Sequence, residues 1–534
     1  MLATMMDVPL TLNHVLERAG RLFPRVEIVS RKPDKTLHRT NYAAMRRRAL
    51  QLAQALQQAG LRRGDRVATL MWNHYAHLEA YFGVPAAGGV LHTLNLRLSA
   101  EDIGYIAKHA EDRFIIVDDI LLPLFEKFRQ HTQIERVLVF PFSALGIPAG
   151  YENYEAFLAG ADGEFVYPDL DEKEPCAMCY TSGTTGRPKG VVYSHRSTVL
   201  HTMVQCMGGH AVSNLDVVAP VVPMFHANAW GYPYACAMVG AKQVFPGNHL
   251  DSDSLLDLFQ SEQVTVAGGV PTIWLGILQD LEQHPGRWKL KPMRMLVGGS
   301  AVPESLIRSF DRYGLHILQG WGMTETSPLA TVSVPKAGQL NLSADDQIAL
   351  RAKQGWPVPF VQLRGIGDEG EIPWDGETVG EIHVRGPWVT GSYYNVANDA
   401  DKFTEDGWLR TGDVASIDAE GCVKITDRSK DLIKSGGEWI SSVDLENAIM
   451  GHPDVLEAAV IAAPHPKWAE RPLAVVVRKA GASVQGSDIK AFLGERFAKW
   501  MIPDGYAFVA EIPRTSTGKF QKTKLREQFK DWAW

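Results

Sequence analysis

Five cysteines in 534 residues are too few for a disulfide framework, and a chain so poor in cysteine suits a reducing, cytoplasmic compartment. Long hydrophobic runs are missing as well. No uninterrupted apolar stretch approaches the roughly 18 residues of a membrane span, so no integral membrane segment is expected. Residues 1–20 lack the basic start and continuous apolar centre of a signal peptide and already carry Asp7 and Glu17. There is no excess of positive charge: the net charge of -7 gives no footing for nucleic acid. Low-complexity tracts and short fixed repeats are also absent. What remains is an ordinary globular composition, and its length exceeds one hydrophobic core, so at least two domains are expected, one of them large.

The texture of the chain places them. Between residues 40 and 140, strand-like runs at 66–71, 90–94, 114–117 and 137–140 alternate with helical patterns. The helix at 41–59 stops at Gly60, and Ser99 caps another that runs to about His109. Such alternation implies a parallel sheet covered on both faces. The pattern returns after residue 190, with strands at 217–222, 243–245 and 264–267 and helices at 229–239, 255–262 and 272–281. From about residue 356 the runs become short and turn-separated, as at 380–386, which reads as a β subdomain. Polar residues at 427–431 then interrupt the β pattern before a compact section to Trp534. The expected fold class is α/β: a large N-terminal domain of two βα sheets plus a β subdomain (1–427), a hinge (428–431) and a small mobile C-terminal α+β domain (432–534).

Chemistry is concentrated in residues 180–190, where hydroxyls, glycines and a lysine are crowded together. Thr181, Ser182, Gly183, Thr184, Thr185 and Lys189 offer backbone N–H groups, rotatable O–H donors and an ammonium to a polyanion, which makes a phosphate cradle. It is not a Walker A loop, because Pro188 precedes the lysine and disfavours a helical Arg187. A second constellation, Gln319-Gly320-Trp321-Gly322-Met323-Thr324-Glu325, sets an aromatic between glycines ahead of a hydroxyl and a carboxylate. It could stack a base and bind a hard cation, or be a turn with a packing tryptophan. Asp413 follows Thr411-Gly412 and suits two ribose hydroxyls, although alone it reads equally as a β-turn aspartate. Lys519 lies on a basic loop near the end of the chain.

Three patterns are set aside. Gly365 to Gly370 matches a dinucleotide fingerprint, but no helix pattern follows. Cys176 and Cys179 have metal or redox spacing without a second pair, beside an apolar strand, and read as buried small hydrophobes. Gly298-Gly299-Ser300-Ala301-Val302 falls one glycine short of a nucleophile elbow, which leaves a serine hydrolase as a weak option.

In order and spacing, the loop at 180–190, Gln319 to Glu325, Thr411 to Asp413, Asp427 to Asp431 and Lys519 resemble the motifs of the adenylate-forming enzymes, over nearly the whole chain. Residues 223–231 and 434–441 look like those of bacterial medium- and long-chain fatty acyl-CoA ligases. The resemblance implies a reaction in which a carboxylate attacks the α-phosphate of ATP and the acyl group then passes to coenzyme A. It implies Lys519 at the α-phosphate, residues 181–189 at the β- and γ-phosphates, Thr324 at phosphate and Glu325 on Mg²⁺. Trp321 would stack on adenine with Gln319, Gly320, Gly299 and Ser300 beside it, and Asp413 and Arg428 would hold ribose. Lys430 would be the hinge, His226 would lie between acyl carbonyl and pantetheine, and Lys434 and Trp439 would be cofactor-binding residues. Trp230 would gate a fatty acyl tunnel, or else be a core tryptophan. A homodimer is implied more distantly. The expected partners are thus a fatty acid, ATP and coenzyme A. The alternatives are a ligase for an aryl, short-chain or thioether-bearing acid, or an adenylation enzyme loading a carrier protein, for which no carrier module follows before Trp534.

Overall fold

The apolar runs read from the sequence pair side by side into two sheets. In the computed structural model, residues 4–143, 145–161, 163–181, 187–208, 211–397, 399–435, 438–516 and 518–534 are described. The first sheet has seven strands in the order Glu152–Asn153, Arg136–Phe140, Asp112–Asp118, Arg66–Leu70, Val90–Thr93, Pro175–Tyr180 and Gly190–Ser194. All neighbours are parallel except the last pair, which forms an antiparallel hairpin around the hydroxyl-rich loop. Tyr180 therefore faces Gly190, and the loop leaves and returns to the same sheet edge.

The second sheet has nine strands. Six are parallel, in the order Leu315–Gly322, Met293–Val297, Val266–Gly269, Val217–Pro220, Lys242–Phe245 and Glu27–Arg31. Antiparallel strands close both ends: Leu37–Asn41 at one, and Leu329–Val332 followed by Trp356–Pro357 at the other. The expectation of parallel sheets thus holds at their centres and is corrected at three edges, where the outermost strands pair antiparallel.

The helix Tyr75–Ala86 lies between the two sheets, and every residue from Ala76 to Ala86 is buried. Its sequence is apolar on nearly every side, and its one carboxylate, Glu79, is paired with Arg48, which suits that buried position. Tyr81 and Phe82 meet Tyr234 of the helix Tyr232–Val239 at ring-centroid distances of 5.3 and 5.6 Å. The cap expected at Ser99 is present, its hydroxyl accepting from the Asp102 N–H at 3.1 Å.

The β subdomain is a five-stranded antiparallel sheet from Gln362–Gly367 to Val423–Arg428. Its Gly365–Gly370 segment is a hairpin connection, as the missing helix pattern requires. Beyond residue 432 the strands Ile433–Ser435, Val455–His465 and Ala469–Arg478 and the helices Ser442–Met450 and Gly486–Leu493 enclose a core of their own around Leu445, Val460 and Val476. Among the described residues no helix is long and apolar enough to cross a membrane.

Candidate active site

Ligands of open α/β sheets gather at the carboxyl ends of the parallel strands, and the singled-out residues gather there. His226 follows Val217–Pro220, Gly299 and Ser300 follow Met293–Val297, and Gln319, Gly320 and Trp321 end Leu315–Gly322. Thr181 and Lys189 flank the hairpin loop, where the Lys189 N–H donates to the Thr181 hydroxyl at 3.1 Å and the Thr181 N–H to the Lys189 carbonyl at 3.0 Å. Ser182, Gly183, Thr184 and Thr185, like Gly436 and Gly437, lie outside the described residues.

One cavity of about 600 Å³ is lined by Thr181, Lys189, His226, Trp230, Gly299, Gly320, Trp321, Thr324, Glu325, Arg428, Lys430 and Lys519. A second of about 690 Å³, between the large domain and the C-terminal section, shares Gly299, Trp321, Arg428, Lys430 and Lys519 and adds Ser300, Gln319 and Asp413. Two expected cofactor residues stand apart. Lys434 and Trp439 line neither cavity; the Lys434 ammonium lies 5.2 Å from the centre of the Trp439 ring, which is 49% exposed.

The site is tightly tied. The Trp321 indole N–H donates to Asp413 Oδ2 at 2.9 Å, and Arg428 Nε lies 3.3 Å from Asp413 Oδ1. Gln319 points its amide into the frame: Oε1 accepts from the Val302 N–H at 3.1 Å and from Gln354 Nε2 at 3.2 Å, while Nε2 donates to the Arg351 and Ala352 carbonyls. Its side chain therefore holds the strand end in place. Thr324 and Glu325 are buried, and the Tyr193 hydroxyl holds the Thr324 carbonyl at 2.7 Å. The turn bearing Lys519 reaches the large domain through Asn95, whose Nδ2 donates to Ser516 Oγ at 3.0 Å.

Two contributors were not visible as motifs. Asn95 is one. Tyr393 is the other, with its hydroxyl donating to Glu325 Oε1 at 2.6 Å and its ring centre 4.6 Å from the Lys189 ammonium. The paired tyrosines at 393 and 394, in a turn-rich stretch, were the available signal.

The segment after His226 departs from expectation. Residues 229–239 read as one helix, but Ala227, Asn228, Ala229, Trp230 and Gly231 have φ of 42, 52, 49, 55 and 82° and form a left-handed turn. The right-handed helix starts only at Tyr232, with Pro233 in its first turn. The turn buries Trp230 against the cavity, where the Gln205 amide donates to the Trp230 carbonyl at 2.7 Å. A β-carbon added at Gly298 would stand 3.3 Å from the indole.

Withdrawal from bulk water, and then the Arg428 guanidinium, hold Lys519 down at about 8 against the pull of Asp413 and Glu325. Burial first, then Lys519 and Arg97, push His226 down to about 4, so its imidazole is neutral at pH 7. Cys176 and Cys179 are buried free thiols, in keeping with a packing role.

Among the described residues no three His, Cys, Asp or Glu side chains cluster as a metal site. Glu325 supplies a single buried carboxylate beside Lys189 and Thr324, with Tyr393 its one hydrogen-bond donor among the described residues. This donor set fits Mg²⁺, which takes one or two carboxylates and leaves its other positions to phosphates and water.

The family model of the AMP-binding enzymes matches residues 16–394, and that of their C-terminal domain matches residues 444–519. The chain is 51% identical to a long-chain-fatty-acid–CoA ligase of Thermus thermophilus, over 99% of this chain and 97% of the relative. It is 46% identical to a 3-methylmercaptopropionyl-CoA ligase of Ruegeria pomeroyi, over 99% of each. The crystal structure of ATP-bound MatB from Rhodopseudomonas palustris superposes with a TM-score of 0.81 at 27% identity, over 98% of this chain and 99% of the other. With cavities walled by both parts of the molecule, and family matches spanning each part, the chain belongs to the AMP-binding enzyme family, among its AMP-forming acyl-CoA ligases.

Proposed function

We propose that the protein activates a medium- or long-chain fatty acid as its acyl-AMP, releasing pyrophosphate, and then transfers the acyl group to coenzyme A, releasing AMP. The observation that carries this reading is the convergence of Lys519, from the C-terminal section, on the cavity that holds Lys189, Thr324, Glu325 and Trp230. A carboxylate and a triphosphate repel each other, so the first step needs positive charge and donors aimed at the α-phosphate. The Lys519 ammonium supplies that charge. Thr181 and Lys189 hold the phosphates that depart, together with the hydroxyl-rich loop between them. Trp321 offers its face to adenine, and Asp413, already oriented by Trp321 and Arg428, keeps lone pairs for the ribose hydroxyls. Mg²⁺ held at Glu325 would neutralise phosphate charge.

For the second step we assign Lys430 as the pivot about which the C-terminal section, residues 432–534, turns away with Lys519. Lys434 and Trp439, remote from the cavities in the present arrangement, are assigned to coenzyme A after that turn. His226, uncharged near neutrality, lies between the acyl carbonyl and the path of the thiol. Its lone pair can accept a hydrogen bond from the thiol while the imidazole itself stays uncharged.

Charge on Lys519 gives a pH signature. The ammonium is lost as pH rises through about 8. Hence kcat/KM for ATP, which reports the free enzyme, should be level below that pH and fall about tenfold per unit above it. His226 contributes no inflection in that range, having lost its proton near 4. AMP release recorded from pH 6 to 10 checks this, and a level profile through pH 9.5 would remove Lys519 from the charged step.

The buried Trp230 and the small side chains Ala227 and Ala229 favour an alkyl substrate, and the Thermus thermophilus relative supports the long-chain choice. The second reading, a thioether-bearing acid, is favoured by the Ruegeria pomeroyi relative. Coenzyme A-dependent AMP release across saturated, aryl and thioether acids separates the two. Activity confined to aromatic or very short acids would sink the fatty-acid assignment. In the same series Trp230→Ala should shift relative kcat/KM toward longer chains by about tenfold, and an unchanged profile would count against a gate.

A further inference from the structure

The stretch at 390–394 belongs to no motif identified in the sequence, yet it touches both sides of the phosphate region. Its backbone grips two segments: the Thr390 N–H donates to the Glu325 carbonyl at 2.8 Å, and the Tyr394 N–H to the Gly190 carbonyl at 2.9 Å. Between these grips Tyr393 is buried in the cavity wall. Its hydroxyl donates to Glu325 Oε1 at 2.6 Å, and its ring face meets the Lys189 ammonium at 4.6 Å from the centroid. The Asp399 carboxylate accepts from its backbone N–H at 2.9 Å, which fixes the residue from behind.

Each contact has a chemical consequence. A phenol that donates to one carboxylate oxygen orients the lone pairs of the other toward the cavity, as donors behind a metal ligand do. The ring's negative face attracts the ammonium without neutralising it, so Lys189 keeps its full charge for an anion. Among the described residues Lys189 has no carboxylate partner, and the ring is what holds its head group.

We propose that Tyr393 is a positioning residue that sets the Glu325 carboxylate and the Lys189 ammonium in register with each other, for a nucleoside triphosphate carrying a divalent cation. This rests on the ligase reading above, and it adds a residue that acts through two others rather than on substrate.

The test uses purified full-length protein and a non-hydrolysable ATP analogue, with Mn²⁺ as the probe, read by electron paramagnetic resonance, and calorimetry of the analogue without metal. Tyr393→Phe keeps the ring and removes the hydroxyl. It should weaken Mn²⁺ binding to the enzyme–analogue complex about tenfold while metal-free affinity for the analogue stays within about twofold. Tyr393→Leu removes the ring as well and should weaken both. Glu325→Gln calibrates the loss of the carboxylate itself. Thermal melting of Tyr393→Phe alongside the wild type separates positioning from folding, since the ring packing is retained. Wild-type Mn²⁺ affinity in Tyr393→Phe would overturn the proposal, as would an equal loss of metal-free and metal-bound affinity. If the wild-type protein bound no analogue with or without Mn²⁺, the ligase reading would fall and this inference with it. Normal wild-type binding with an unaffected Tyr393→Phe would defeat the inference alone.

Discussion

Lys519→Ala is expected to lower ATP-dependent adenylation by roughly a thousandfold, the scale of losing a charged transition-state donor, while thioester formation from supplied acyl-AMP falls far less. Its position explains the asymmetry. Lys519 belongs to the C-terminal section, yet it lines both cavities at the carboxyl ends of the large domain's strands. The Asn95 to Ser516 bond and the turn in which the Lys519 N–H donates to Thr515 Oγ1 at 3.1 Å help to place it there. Charge at the α-phosphate matters only while the carboxylate attacks. Once pyrophosphate has left, the acyl-AMP is already activated and the thiol needs access instead. No carboxylate forms an ion pair with Lys519 among the described residues, and the nearby Asp413 keeps Arg428 and the Trp321 N–H as partners, so the fold should survive truncation. Pyrophosphate exchange measures the first half-reaction, and thioester appearance from synthetic acyl-AMP measures the second. Equal losses in the two would refute the division of labour.

Gly322→Ala should have the largest effect on the integrity of the site. A β-carbon there would stand 1.7 Å from the Pro328 carbonyl oxygen, 2.7 Å from its carbon and 3.1 Å from Thr326 Oγ1. None of these is the loose end of a long side chain. The turn it would displace is the one that carries Thr324 and Glu325, closed by the Met323 N–H to the Pro328 carbonyl at 3.2 Å. Relief requires the backbone to move, at a cost of about 3 kcal/mol. A shift of about 1 Å in the two side chains would lower kcat/KM for ATP on the order of a hundredfold. Gly391→Ala is the matched control: an added methyl meets nothing within 4 Å, although the residue lies on the strap beside Tyr393. Thermal melting and ATP kinetics of the two variants should diverge sharply. Equal behaviour would show that the 323–328 turn gives way freely.

Much of this arrangement was legible in the chain itself. Alternating strands and helices and the β texture after 356 follow from local periodicity and turn chemistry, and both are present. Gly299, Ser300, Trp321 and His226 meet because each lies at the carboxyl end of a parallel strand facing one crevice, whereas Asp413 comes from the β subdomain, Lys519 from the C-terminal section, and Lys434 and Trp439 stay outside. What local pattern could not reveal is pairing between distant segments. Ile28 pairs with Gln243, so the first strand of the chain joins the second sheet, although its own residues carry no mark of that partner. Gln319 was read as a nucleotide neighbour because it sits beside Trp321, but an amide can equally be spent on the frame, and there it is. Tyr393 escaped because a tyrosine in a turn has many uses, and only the distances to Glu325 and Lys189 select among them.

The left-handed turn at 227–231 has a consequence for the order of folding. Four of its five residues are not glycine, and each L-residue in that conformation costs roughly 1–2 kcal/mol. Ala227 and Ala229 are of the type that most favours the opposite hand. Cut out as a peptide, the segment would not adopt this shape. Nor can it form early, as a nascent right-handed helix can, because nothing local rewards it. Only the finished surroundings, with Gln205 on the Trp230 carbonyl and bare Gly298 beside the indole, outweigh the cost. If Trp230 borders the acyl path as proposed, that path is completed only after both sheets have closed around it.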